Sequence, residues 1–181
     1  ERIESELARV FPQVRVGKFD KDSDAFPQNA DLIIATQAIV KQLNKIPVSL
    51  VGVLEVDAEL NRPDFRSAQR VFSLLVHFRQ FVKDKVAVQT FIPSNYAIKP
   101  ANKFNFNAFY KEELALRKEL GFPPFAHLVE IGFRGPEEAV VFDQAKAFYD
   151  KMSAYKKDGY DIMEPQPDMQ PKLRDKYRFT I

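Results

Sequence analysis

Four short strand-like runs, two of them continuously apolar, separated by helix-patterned stretches, constrain this chain more than any other feature. Val14–Asp20, Asp31–Ala35 (DLIIA), Val48–Val56 (VSLVGVLEV) and Lys85–Phe91 each read as a strand. The continuous runs DLIIA and VSLVGVLEV suit strands covered on both faces, as in a parallel sheet. Gln37–Leu43 is long enough for a short crossover helix. Pro63 and Asp64 open a longer helix, because proline in the first turn sacrifices no hydrogen bond. On that helix Phe65, Ala68, Phe72, Leu75 and Val76 share one face. Ahead of all this, Ile3, Leu7, Val10 and Phe11 form one face of a helix closed by Pro12. The βαβ alternation predicts an α/β fold, with a doubly wound parallel sheet over about residues 1–100.

After Pro93 the pattern changes. Phe104–Leu120 reads as a helix with Phe106, Phe109, Tyr110, Leu114 and Leu120 inward. Gly121 suits the position just past its end, and Pro123-Pro124 forbid continuation. His127–Arg134 alternates, Val129, Ile131 and Phe133 against Glu130, Gly132 and Arg134, as in a half-solvated antiparallel strand. Pro136-Glu137-Glu138 starts a further helix, which Lys156, Lys157 and Gly159 finish. The switch predicts a boundary near 92–103 and a small α+β domain over residues 101–181.

With no cysteine, the chain has no disulfide and no cysteine-ligated zinc. No apolar run approaches the ~18 residues of a membrane span, and ERIESELARVF is no signal peptide, so the expectation is a soluble, cytoplasmic protein without a membrane partner. The opening residues look like a helix entered without its cap, and KYRFTI like a strand stopped partway, as in a fragment. Seventeen Phe and no Trp imply packing by rings without polar handles.

A net charge of +2 does not by itself indicate nucleic-acid binding; a basic patch requires clustering. The one cluster is terminal: Lys172, Arg174, Lys176 and Arg178 with a single acid, Asp175. On a strand, Lys176 and Arg178 share one face, Tyr177 and Phe179 the other. This is either a strip for phosphates or carboxylates or an ordinary strand with a wet and a dry face. Glu55, Asp57 and Glu59 follow the third strand, where carboxylates can hold Mg²⁺ or act as a base, or simply meet water. His77 and His127 read as packing or surface histidines. No phosphate-cradling G-x-x-x-x-G-K-[ST] loop is present, nor G-x-G-x-x-G, G-x-S-x-G or H-E-x-x-H.

One set of runs goes further. Glu1-Arg2, Ala35-Thr36-Gln37 with Lys41, Leu54-Glu55-Val56-Asp57, Pro63-Asp64-Phe65-Arg66-Ser67-Ala68-Gln69-Arg70, Gln89-Thr90 with Pro93, Glu113-Leu114-Ala115 with Arg117, and Gly121-Phe122-Pro123-Pro124-Phe125 occur in that order. Pro171-Lys172-Leu173-Arg174 and Tyr177-Arg178-Phe179 close the series. In order and spacing these resemble the PriA family (primosomal protein N′) of replication-restart DNA helicases. The resemblance runs along essentially the whole chain. It implies a RecA-like second helicase lobe over 1–100 and the start of the family's C-terminal domain over 101–181.

By the resemblance, Thr36, Gln37, Lys41, Asp64 and Arg66 are candidates for nucleotide or DNA contact. Lys172, Arg174, Lys176, Tyr177 and Arg178 are candidates for binding DNA or single-strand-binding protein (SSB). The implied role is primosome assembly at stalled forks, with forked or single-stranded DNA, SSB and primosome proteins as partners. The chain departs from the family where Ala35 and Gln42 replace two glycines, so a side chain stands where backbone approaches a ligand. The arginine-bearing motif shrinks to Val76-His77-Phe78-Arg79-Gln80-Phe81, leaving Arg79 as the weak catalytic candidate. The segment between Asp20 and Asp31 is short too, where the family has a helix. No cofactor is expected in this chain: ATP with Mg²⁺, and zinc, belong to the intact family member. The chain alone is therefore expected to hydrolyse no ATP. The alternative is a PriA-derived scaffold, catalytically dead, that binds DNA or SSB.

Overall fold

In the computed structural model, which describes residues 2–155 and 161–181, the apolar runs become strands and pair in parallel. Contacts divide the chain at Gly121/Phe122, not near 92–103. The reason is helix α5 (Phe106–Glu119), which packs on the first unit through an aromatic stack described below. Glu1, and the helix end expected at Lys156, Lys157 and Gly159, lie outside the described residues.

The first unit begins with α1 (Arg2–Val10), whose apolar Ile3 and Val10 stay exposed. Strands β1 (Val16–Phe19) and β2 (Leu32–Ala35) then pair with Val16 beside Leu32 and Phe19 beside Ala35. The short segment between them folds onto β1. Phe19 meets Phe26 at 5.4 Å, and Arg15 clasps Asp31 at 2.8 Å. Gly17 is required there, since a Cβ would come within 2.7 Å of Pro27 and 2.8 Å of Ala30. A 3-10 helix over Gln37–Gln42 takes the place of the expected crossover helix.

Strand β3 (Val48–Val53) pairs with β4 (Val82–Val88), not with β2. The single doubly wound sheet expected from the sequence is thus replaced by two separate parallel pairs. Nor is β3 covered on both faces: Leu50 is 61% exposed, so the run is apolar without being fully buried. Helix α2 (Val56–Leu60) follows, entered through Glu55 at φ 55. Helix α3 (Ser67–Phe81) carries Val71, Phe72, Leu75 and Phe78 into the core at helical spacing. Strand β4 starts at once at the buried Val82, three residues earlier than the sequence suggests.

A four-residue helix α4 (Ile98–Ala101) and then α5 complete the core. Phe109 stacks on Phe72 with centroids 4.0 Å apart and planes 4° from parallel. Both rings are buried, and removing either would cost about 3–5 kcal/mol. Phe106, Tyr110, Leu114 and Leu120, expected inward, are 40–61% exposed: of the apolar face only Phe109 is buried, and the buried polar residue beside it is Glu113. Gly121 ends α5 at φ 65, a conformation that glycine adopts freely.

The second unit is a three-stranded antiparallel sheet with one helix. Strand β5 is only Gly132–Gly135, shorter than the alternation suggests; Val129 is 79% exposed. Helix α6 (Glu138–Ala154) follows, then β6 (Gln166–Leu173) and β7 (Lys176–Thr180), in the order β5-β7-β6. Pro167 and Pro171 sit on β6 because it is an edge strand, where a missing N–H leaves no ladder bond broken. One sheet face packs on α6 through Phe179, Val141 and Ala145, with Phe133 beside them. The other face is open.

Candidate functional site

The Pro63–Arg70 run forms the turn into α3 and spends most of its charge on itself. Asp64 Oδ1 accepts from the Arg66 amide at 2.8 Å, and Oδ2 accepts from Arg70 Nη1 at 2.7 Å. These bonds, the amide's first, hold the Asp64 carboxyl below the usual carboxylate range. Arg70 Nε donates to Glu59 at 2.6 Å, and Arg62 pairs with the same carboxylate at 3.2 Å. Arg66 is the exposed group of the run, its guanidinium 4.6 Å from the Phe65 ring centroid. Asp64 is thus placed as a structural acceptor, and Arg66 as a cation facing solvent.

The acids after β3 are not gathered. Asp57 accepts from Thr90 Oγ1 at 2.5 Å and from the Phe91 amide at 2.8 Å, which ties down the exit of β4. Glu59 belongs to the arginines, and Glu55 is exposed. Among the described residues, no group of three or more His, Asp or Glu stands close enough to hold a metal ion. His77 packs on Phe81 with its Nε2 3.3 Å from the Val40 carbonyl, and His127 is exposed.

Residues of two matching runs meet Tyr96 in a buried network that the sequence alone did not reveal. The Tyr96 hydroxyl donates to Glu113 Oε2 at 2.9 Å. Arg117 donates to Glu113 Oε1 at 2.8 Å and to Gln69 Oε1 at 2.9 Å, and lies 5.0 Å from the Phe65 centroid. Burial, then the Glu113 bond, raises the Tyr96 phenol well above its ordinary value. The network fastens α5 to α3; it is architecture.

Thr36 and Gln37 are exposed at the carboxyl end of β2, and Lys41 one turn further on. The Thr36 hydroxyl accepts from the Ala38 amide at 3.5 Å, capping the 3-10 helix. The replaced glycine at Ala35 is exposed at the end of β2, and Gln42 is half-buried. Arg79 lines a cleft of about 310 Å³ with Leu75, Val88 and Ile98 as its floor. It is joined there by Lys99 and Lys103, which sequence reasoning missed.

The second unit's open face carries the terminal basic cluster. Lys176, Arg178 and Thr180 of β7 line a cleft of about 630 Å³ together with Gly132 and Arg134 of β5. Arg178 pairs with Asp168 at 2.7 Å. Arg174 also lines this cleft from the turn between β6 and β7, at φ 50. Lys172 sits 4.8 Å from the Tyr177 ring centroid. Phe179 is only 7% exposed, committed to α6 on the opposite face, so it walls no pocket beside Arg178. Arg134 is the residue sequence reasoning missed here. Its place in the Glu130-Gly132-Arg134 alternation marked it as solvent-facing, but not as a neighbour of Arg178.

No family model matches the chain. Curated relatives do. Replication restart protein PriA of Borreliella burgdorferi is 29% identical over 194 residues, covering 99% of this chain and 29% of that protein. The PriA of Bacillus subtilis is 32% identical over 196 residues, covering 99% of this chain and 24% of the relative. For Chlamydia muridarum the figures are 31% over 198 residues, 100% and 26%. These spans exceed the 181 residues of the chain, so the relatives carry insertions within the matched region. The chain spans about a quarter to three tenths of the relatives' length, and along essentially all of its own length it is similar to replication restart protein PriA, as its ordered motifs led us to expect, consistent with a portion toward that protein's C-terminus.

Proposed function

We propose that this chain is the second motor lobe and the start of the C-terminal domain of a PriA-like replication restart protein, and that it handles DNA at stalled forks. The observation that carries the reading is the similarity to PriA relatives over 99–100% of the chain. In this reading the first unit is a RecA-like lobe whose exposed Thr36, Gln37, Lys41 and Arg66 face nucleotide or DNA. The second unit offers a cationic surface on which anions dock. Forked or single-stranded DNA, SSB and primosome proteins are its partners.

The chain alone hydrolyses no ATP, because a phosphate-cradling loop is absent from its sequence. Arg79 lacks the glycines that frame the family's arginine motif, so turnover stays slow even beside a second lobe. The test is phosphate release and binding to forked and single-stranded oligonucleotides by the 181-residue chain. DNA binding without phosphate release is expected. DNA-stimulated release above background, or no DNA binding, overturns the reading.

Ala35 and Gln42, standing where the family has glycines, favour a second reading: a catalytically dead scaffold with the same partners. Genomic sequence upstream decides. A reading frame that supplies a phosphate-loop lysine and zinc-binding cysteines supports the helicase, and a start codon beside Glu1 supports the scaffold.

A further inference from the structure

We infer that the open face of the β5-β7-β6 sheet binds the phosphate backbone of nucleic acid, with Arg134 as its principal contact and Asp168 as a built-in counter-anion. The inference rests on the DNA-handling reading above and narrows it to one surface. Arg134 and Arg178 are directly opposite in the antiparallel register. Their Cβ atoms are therefore about 5 Å apart, where like charges repel. Asp168 answers only one of them, at 2.7 Å from Arg178. Glu130 also lines the cleft, but among the described residues no ion pair joins a carboxylate to Arg134, Arg174 or Lys176, and four cations face two acids. A face with this unanswered charge is completed by a bound anion. A second feature points the same way. The β6–β7 turn holds two non-glycine residues, Arg174 and Asp175, at φ 50 and 57. That conformation favours Asn-Gly, yet an arginine stands there, on the cleft.

The chemistry selects phosphodiester over the alternatives. Guanidinium groups bind phosphate oxygens bidentately. Lys176 and Arg178 recur along β7 at roughly 6.8 Å, a track for a polymer with repeating charge. No ring on this face is free for base stacking, because Phe133 and Phe179 serve the core and Tyr177 carries Lys172. The apolar residues of the cleft are Leu173 and Phe133, and Phe133 is packed against the α6 cluster, so little apolar surface is left to anchor a peptide. Contact is therefore to backbone, independent of sequence.

The experiment is fluorescence anisotropy of the 181-residue chain with labelled single-stranded oligonucleotides of two unrelated sequences, and with an acidic peptide, over a salt series. Arg134→Ala is expected to weaken both oligonucleotides several-fold alike, and to flatten the slope of log K against log salt by about 0.7. Arg134→Lys keeps the slope, which separates lost charge from lost folding. Asp168→Asn frees Arg178 and removes a negative charge, so it tightens binding several-fold. If the parent binds DNA and Arg134→Ala changes neither affinity nor slope, this inference fails and the DNA reading survives. If the parent binds no DNA, both fail. Weaker binding on Asp168→Asn overturns the counter-anion role. An Arg134-dependent grip on the peptide but not on DNA assigns the face to a protein partner instead.

Discussion

The two units use the same residue type in opposite ways. In the first, most arginines are answered, Arg70 by Glu59 and Asp64, Arg117 by Glu113 and Gln69, Arg15 by Asp31, while Arg66 faces solvent and Arg79 lines a cleft. In the second, four cations line one cleft, and among the described residues the one carboxylate pairing there is Asp168 with Arg178. An arginine with its carboxylates in place holds elements together. One without them stays free for an anion, which is the role proposed above for the sheet face. The composition, nearly balanced over the whole chain, conceals this division completely.

The largest test of the contrast is a pair of substitutions. Arg117→Ala leaves Glu113, 5% exposed, as an uncompensated buried charge, and should destabilise the first unit by about 3 kcal/mol in urea denaturation. Lys176→Ala removes an unanswered surface cation and should stay within about 0.5 kcal/mol. Equal costs would erase the distinction. An intermediate effect is expected for Arg70→Ala, which breaks contacts to Glu59 and Asp64 at a site 39% exposed; solvent screening brings it to about 1 kcal/mol. No change would mean that the turn before α3 holds without it.

The smallest effect is a pH dependence. The Arg15 side chain holds the Asp31 carboxyl down at about 2, against an ordinary 3.8. Its unfolded form therefore takes up a proton first as pH falls. The stabilisation is complete above 3.8 and is lost on the way down to about 2. Asp31→Asn should flatten stability across that window, and an unchanged acid limb would remove the pair from the account.

Local patterns made much of this legible. Helices α3, α5 and α6, strands β1 to β3 and the stop at Gly121 all follow from periodicity and turn chemistry. What escaped was non-local. Continuous apolar runs suggest burial on both faces, but cannot say whether β2 will pair with β3, and it does not. Strand β6 went unread because Pro167 and Pro171 argue against a strand until its edge position is known. Arg134 was visible as a polar residue in an alternation, while its register beside Arg178 arises only when β7 arrives some forty residues later. Asp64 and Arg66 looked equivalent in the motif. Their roles separate only through Arg70, one and a half helical turns on from Asp64.

The Arg174–Asp175 turn sets durability against affinity. An Asn-Gly pair would relax both left-handed residues and tighten the hairpin, while deleting a cation from the cleft. An engineer seeking a hardier protein would choose that change first, and on the proposal above would blunt the grip of the sheet in doing so. Selection for robustness alone would favour Asn-Gly here; an arginine in that place suits the binding role proposed for the cleft.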